Sequence, residues 1–433
     1  MQHRVLPVRS RGGAISLDPR CFAAGDGAAR RLHFRSTMVT TTKTLYVLLL
    51  TALVSGCAMV DTEVEGEPDE AELGTSEANG NYGWTSYSVV PVFFVPRDWD
   101  VASGEVVAEA ASIRSALGEI QGYFANRLGH SFDLHGLQVV QGEGNKEAYG
   151  IGWNGRDIYV DGVDINGNVE ASVVEELSRR GFPVPPGQNE SGYVVVMLVK
   201  GAGGWAGSRE FGGANAGWSI VGDWCIDSLN GELAEGQYGW GSGRRPQIGA
   251  LAHEIGHAFG FDHPDAYGGT FDMSVMGNWW DYPTIGFSDE DRRRAVSEKV
   301  PYFCRKVALR AESGQYVVAE GGGGGEVRAD RWAVGPWETF TLAHASYGSR
   351  IGLRAASGQY VVAEGGGGRE VLANRSAMGD WETFELVPMG GDSHALRAAS
   401  GQHMVAEGGG GREVRADRWN VAGWETFHMV CAD

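Results

Sequence analysis

From Ile248 the chain reads IGALAHEIGHAFGFDH, which places His253, Glu254, His257, Gly260 and His263 within eleven residues. On a helix, residues four apart share a face, so His253 and His257 can present two imidazoles to one metal ion. Gly260 permits a left-handed turn that ends the helix and brings His263 round as a third ligand. Glu254 is next to a ligand but rotated off it, free to accept a proton from an activated water. Three neutral ligands leave a fourth position open, which suits catalysis rather than a closed structural site. With 11 His and 67 Gly in 433 residues, five such positions match by chance with a probability on the order of 10⁻⁴.

Downstream lies Asp272-Met-Ser-Val-Met276-Gly277, with Met276 13 residues after His263. The pattern H-E-x-x-H-x-x-G-x-x-H followed by a methionine turn resembles the metzincin metalloproteases. The resemblance implies one catalytic Zn2+ held by His253, His257 and His263, with Met276 beneath the imidazoles. It also implies endopeptidase chemistry on a peptide or protein substrate, in which a zinc-activated water attacks the carbonyl and Glu254 is the general base. Some family members carry a tyrosine ligand two residues after the methionine, where this chain has Asn278; Tyr282 is the nearest candidate for a transition-state hydrogen bond. Trp279, Trp280 and Tyr282 read as apolar lining. Two other classes stay open: a surface adhesin with a structural or decayed zinc site, and a zinc amidase or deacylase.

The elements that must position these residues follow from periodicity. Ser86 to Val95, Phe132 to Val140 and Tyr193 to Val199 read as strands, and Glu105 to Leu128 and Val169 to Arg180 as helices. Gly217 to Val221 is either an edge strand that pairs with an extended substrate or an ordinary core strand. Ser288 caps a helix over Glu290 to Glu298. The reading is an α/β (α+β) metzincin-like domain over residues 82–303.

The remaining residues, 304–433, repeat one pattern three times, from Leu309, Leu353 and Leu396, with the block Trp-Glu-Thr-Phe at Trp337, Trp381 and Trp424. Each unit of about 43 residues holds short strand-type runs between glycine-rich turns and cannot bury its apolar face alone. The runs Gly321 to Gly325, Gly365 to Gly368 and Gly408 to Gly411 lack the Lys-Ser/Thr of a phosphate loop and read as turns needing positive φ. The three tryptophans read as repeated core residues. Three copies sharing one core suit closure into a threefold barrel, and the G-Q-Y-V-V-A-E-G-G-G-G and W-E-T-F elements resemble the fascin-like β-trefoil family, relatives of which bind actin or glycans. The Gln-x-Trp signature of sugar-binding trefoils is absent, so the ligand, glycan or protein, does not carry over. In such a barrel the first and last strands are neighbours, so Cys304 and Cys431 are expected to form a disulfide and to leave Cys225 free; the competing pair is Cys225 with Cys304.

At the other end, Leu45 to Val54 is an apolar run too short to span a membrane, preceded by Lys43 and followed by Val54-Ser55-Gly56-Cys57. This resembles a bacterial lipoprotein signal over 38–56, which implies export, acylation of Cys57 and membrane attachment through the lipid alone. An ordinary signal peptide is the alternative. Residues 1–37 read as a non-native extension ahead of Met38, and 57–81, with eight carboxylates and no cation between Asp61 and Glu77, as an acidic tether. A net charge of -19, with 36 basic against 55 acidic residues, disfavours nucleic acid as a partner.

Overall fold

The computed structural model describes residues 84–151, 165–184, 192–203, 206–209, 217–234, 242–346 and 349–433. The upstream extension, signal, Cys57 and tether lie outside the described residues. Among the described residues, no helix is long and apolar enough to cross a membrane.

The first layer is a mixed sheet. Strand β1 (Ser88–Val95) is followed by helix α1 (Gly104–Arg127), β2 (Asp133–Leu134), β3 (Gln138–Gln141), α2 (Ile165–Arg179), β4 (Tyr193–Val199), β5 (Ala206–Arg209), β6 (Trp218–Val221) and α3 (Asp223–Leu229). The strand order is β2-β1-β4-β6-β5, with β3 beside the second half of β1. All pairings are parallel except that of β5 with β6. β1 and β4 are buried throughout because helices cover both faces, and this is why they read as unbroken apolar runs. Side chains alternate across the sheet: Val89, Phe93 and Val95 join the core made with α1 and the later helix α4 (Arg244–Ala258), while Val90, Val92 and Phe94 join Val173, Val174 and Leu177 of α2. Two further helices, α5 (Asp289–Ser297) and α6 (Val300–Phe303), close this half. Ser288 caps α5, its Oγ accepting from the Asp291 N–H.

The position of β5 corrects one expectation. Trp218–Val221 is not the edge: it is paired to β4 on one side and β5 on the other. The antiparallel edge is β5, a four-residue strand in a glycine-rich stretch whose alternation is too short to read.

From Lys306 the chain is all β: β7 (Lys306–Arg310), β8 (Tyr316–Ala319), β9 (Val327–Arg331), β10 (Phe340–His344), β11 (Arg350–Arg354), β12 (Tyr360–Ala363), β13 (Val371–Arg375), β14 (Thr383–Gly390), β15 (Ser393–Arg397), β16 (His403–Ala406), β17 (Val414–Arg418) and β18 (Phe427–Cys431). Six of these strands pair in a closed ring, β7-β10-β11-β14-β15-β18 and back to β7. The hairpins β8/β9, β12/β13 and β16/β17 are joined to one another by the bridges Glu326 to Leu372, Glu370 to Arg415 and Arg328 to Glu413. This is a β-trefoil. Its core repeats as the sequence does, with Leu309, Leu353 and Leu396 and then Phe340, Phe384 and Phe427 all but inaccessible.

The repeated tryptophans are not core. Trp337, Trp381 and Trp424 are each about 45% exposed, lying across Gly322, Gly366 and Gly409. Within the Trp-Glu-Thr-Phe block, Phe supplies the buried ring. The Glu caps the preceding turn: Glu338, Glu382 and Glu425 accept from the N–H groups of Gly335, Gly379 and Ala422, each at 2.9 Å. Trp seals the glycine turn from outside, which needs an aromatic at that place without burying it.

The two halves belong to one compact unit, Gly74–Asp433. Tyr87 is buried between them, its ring 5.3 Å from that of Tyr302 and 6.0 Å from that of His344, and its hydroxyl donates to the Ser349 carbonyl at 3.2 Å. Ser86 adds a donor to the Ala345 carbonyl at 2.9 Å and another, from Oγ, to the Arg350 carbonyl at 2.7 Å. Cys304, ahead of β7, is disulfide-bonded to Cys431 on β18, with 5.6 Å between Cα atoms, and Cys225 is free and buried.

Candidate metal centre

Helix α4 runs through the core, so beyond its first turn, which carries Arg244, Arg245 and Gln247, it is apolar except for its imidazoles and Glu254. Two glycines let a second segment approach its backbone. A Cβ on Gly249 would lie 2.0 Å from the Trp279 carbonyl oxygen, and one on Gly256 would lie 2.4 Å from Sδ of Met276. Met276, fully buried, therefore sits directly against the helix turn that carries His253 and His257. At the end of α4, Gly260 adopts a left-handed conformation with φ of 88°, and the Phe261 N–H returns to the Gly256 carbonyl at 2.9 Å. That turn directs the chain back to His263.

The three Nε2 atoms converge. His257 lies 3.0 Å from His253 and 3.0 Å from His263, and the third side of the triangle is 3.4 Å. Behind them, Nδ1 of His253 faces the Val275 carbonyl at 3.1 Å and Nδ1 of His257 faces the Phe261 carbonyl at 2.7 Å. A carbonyl only accepts, so each Nδ1 carries the proton and each Nε2 of the neutral ring is a bare lone pair. Burial, helped by mutual repulsion, holds His253 well below the ordinary histidine value and lowers His257 to about 4, and burial also lowers His263. Bare lone pairs 3 Å apart repel unless a cation lies between them. Zinc bound tetrahedrally at ~2.0–2.1 Å separates its nitrogen ligands by about 3.3–3.4 Å, so the donor set fits this metal.

Glu254 is buried and hydrogen-bonded to Ser208 of β5; burial pushes its carboxyl up to about 7 against that bond. Burial and the nearby Glu254 raise the Cys225 thiol to about 12, which makes it an inert core residue. Two further residues hold the site from α5. Arg294 donates to the Gly260 carbonyl at 2.7 Å and pairs with Asp262 at 2.8 Å, gripping the turn before His263. The buried Asp291 accepts from Ser274 Oγ at 2.6 Å and from the Ser288 N–H at 2.8 Å, tying the methionine segment to the same helix. Spacing alone does not reveal Ser208, Arg294 or Asp291, because each acts across a tertiary contact. The acidic first turn of α5 was the one visible signal.

Tyr282 is not gathered into the site. Its ring lies 4.9 Å from that of Tyr123 on α1, its Cβ faces Gly249, and the charges near it are Glu119 on α1 and Arg244 at the start of α4. The histidines occupy the other half of that helix. Phe271 is near instead, its ring 6.0 Å from that of His263. One other set of ligand-type side chains exists among the described residues, His130, Cys304, Cys431 and Asp433, but its sulfurs are joined as the disulfide.

No family model matches the chain, and no curated protein matches it. Among solved structures, the chain is similar over 29% of its length to a designed threefold-symmetric protein, ThreeFoil, with 97% of that chain covered, 20% identity and a TM-score of 0.27. It is similar over 30% of its length to SeviL, described as bound to the asialo-GM1 saccharide, with 99% of that chain covered, 12% identity and a TM-score of 0.26. An exo-beta-1,3-galactanase from Clostridium thermocellum matches over 30% of both chains, with 11% identity and a TM-score of 0.28.

Proposed function

We propose that the α/β half is a zinc-dependent endopeptidase of metzincin type, exported from the cell and accompanied by a trefoil that binds a surface ligand. The observation that carries this reading is the convergence of three imidazole Nε2 atoms at 3.0–3.4 Å, two of them on rings whose Nδ1 faces a carbonyl, beside a buried carboxylate. His253, His257 and His263 would hold the ion, which supplies Lewis acidity and lowers the pKa of a water. Glu254 accepts that water's proton and returns it to the leaving amine, and Ser208 fixes the carboxylate in place. Among the described residues β5 has a neighbour on one side only, so its free edge can pair with an extended peptide beside Glu254. An adhesin needs no buried base, which favours hydrolysis over a structural zinc.

The test is digestion of a diverse peptide library by the purified chain alongside metal analysis. Glu254→Gln is expected to keep one zinc and the fold while turnover drops by about 10²–10⁴-fold. Undiminished cleavage by Glu254→Gln, or full zinc occupancy in His257→Ala, overturns the assignment. Cleavage of acylated amines but of no peptide selects the amidase reading instead. Export with lipidation of Cys57 is tested by mass spectrometry of the native N-terminus, where an unmodified start elsewhere refutes it.

A further inference from the structure

Trp332 and Trp419 are the two most exposed large apolar side chains among the described residues, at 73% and 67%. They occupy the same place in the first and third repeats, just after β9 and β17. Each rests on a left-handed glycine of the opposite turn. A Cβ on Gly314 would lie 3.8 Å from Cζ3 of Trp332, and one on Gly401 would lie 3.7 Å from Cζ3 of Trp419. The middle repeat differs. Its counterpart is Ser376, and the guanidinium of Arg354 covers Gly358 instead, Nε donating to the Gly358 carbonyl at 2.8 Å.

We propose that Trp332 and Trp419 are two equivalent stacking sites for neutral sugar rings, which makes the trefoil a bivalent polysaccharide-binding module. The same residue type stands at the same place in two repeats, each indole over a left-handed glycine, so the two rings share one setting and one degree of access. Each indole directly follows a pair of charged residues, Asp330-Arg331 in the first repeat and Asp417-Arg418 in the third. Those charges are paired with one another. Arg331 binds Glu320 and Asp330, and Arg418 binds Glu407 and Asp417. Residues 305–433 carry 13 basic and 16 acidic side chains. Such a surface offers fixed donors and acceptors with little net field, which suits hydroxyl groups and not sulfate or phosphate. An indole face meets the apolar face of a pyranose while its rim stays polar. Two sites of modest affinity gain from a repetitive polymer through effective concentration, by a factor of about 10²–10⁴. The inference rests on the binding role proposed for the trefoil and is independent of the hydrolytic reading.

The experiment is affinity electrophoresis of the full chain in gels containing laminarin, barley β-glucan, xyloglucan or galactomannan, followed by calorimetry with an oligosaccharide of the polymer that retards it. Retardation by at least one polymer is expected, with an oligosaccharide stoichiometry of two. Trp332→Ala and Trp419→Ala should each reduce the stoichiometry to one with little change in Kd, and weaken polymer binding by 10-fold or more. The double variant should run as in a blank gel, and Ser376→Trp should strengthen retardation. A double variant that is still fully retarded overturns the tryptophan sites while leaving the trefoil a glycan binder. Retardation by none of the four polymers overturns both, whatever the chain does to peptides.

Discussion

Gly256 lacks a side chain because a sulfur fills the space where one would be. With Met276 Sδ 2.4 Å from an added Cβ and Cε 3.0 Å away, Gly256→Ala has to push the methionine from beneath the histidines. Overpacking of this kind costs about 1–3 kcal/mol. Urea melts should show that loss, and Met276→Ala in the same chain should recover part of it. The histidines and Glu254 were legible from spacing alone because one helix turn and one glycine turn set their geometry. Gly256 was only an unassigned position in that pattern, since its neighbour comes from twenty residues downstream.

At the scale of elements, α5 is the strap of the metal site. Its Arg294 grips the Gly260 carbonyl and Asp262, and its Asp291 holds Ser274 before Met276. Removal of such a supporting partner typically weakens a metal site by about 10–100-fold. Arg294→Ala is therefore expected to lower zinc affinity to that extent, measured by competition with a chelator, while leaving the circular dichroism of the chain unchanged. Affinity equal to that of the parent would mean that the turn holds itself. The helix was readable from Ser288 and the acidic turn after it, yet its function was not, because nothing in its own residues indicates what Arg294 reaches. β5 was hidden for a different reason. Four residues, Ala206–Arg209, carry too short an alternation to register, so the candidate edge falls on the next strand in the chain, which β5 flanks in the sheet.

Across the whole molecule, the disulfide joins Cys304, just ahead of the first trefoil strand, to the last strand at a separation of 127 residues. Loops this long give a cross-link about 4.7 kcal/mol in the chain-entropy model, with measured gains commonly near 2–4 kcal/mol. Cys431→Ser should lower stability by a similar amount in denaturant titrations, and an unchanged midpoint would show that the barrel closes without it. The trefoil also carries an acid-sensitive group. His394 is buried, with Nδ1 on the Asp392 carbonyl at 3.2 Å, and burial lowers it from 6.5 to about 4. As pH falls below 6.5 the unfolded chain binds this proton before the folded one does, so stability is full above 6.5 and declines down to about 4. At about 1.4 kcal/mol per pKa unit the decline is on the order of 3 kcal/mol. Thermal melts of His394→Gln should lose less stability between pH 7 and pH 4.5 than the parent does, and an equal loss would place the acid sensitivity elsewhere.

The sequence by itself determined the imidazole spacing, the buried parallel strands and the threefold count of the closing domain, because helix period, strand run and repeat length are local properties of the chain. Cys304 and Cys431 could be paired by reasoning from the repeat, since a closed barrel must bring its first and last strands together. Only the tertiary structure decided which strand is the edge, that Ser208 reaches Glu254, and that Tyr282 faces Tyr123 rather than the histidines. It also decided the tryptophans. Trp337 and its two counterparts share an apolar type and strict repetition with true core residues such as Phe340, and those are the only signals available to a sequence. Whether a repeated ring lies inside a barrel or across a glycine turn outside it depends on where three hairpins meet, and no single repeat contains that information.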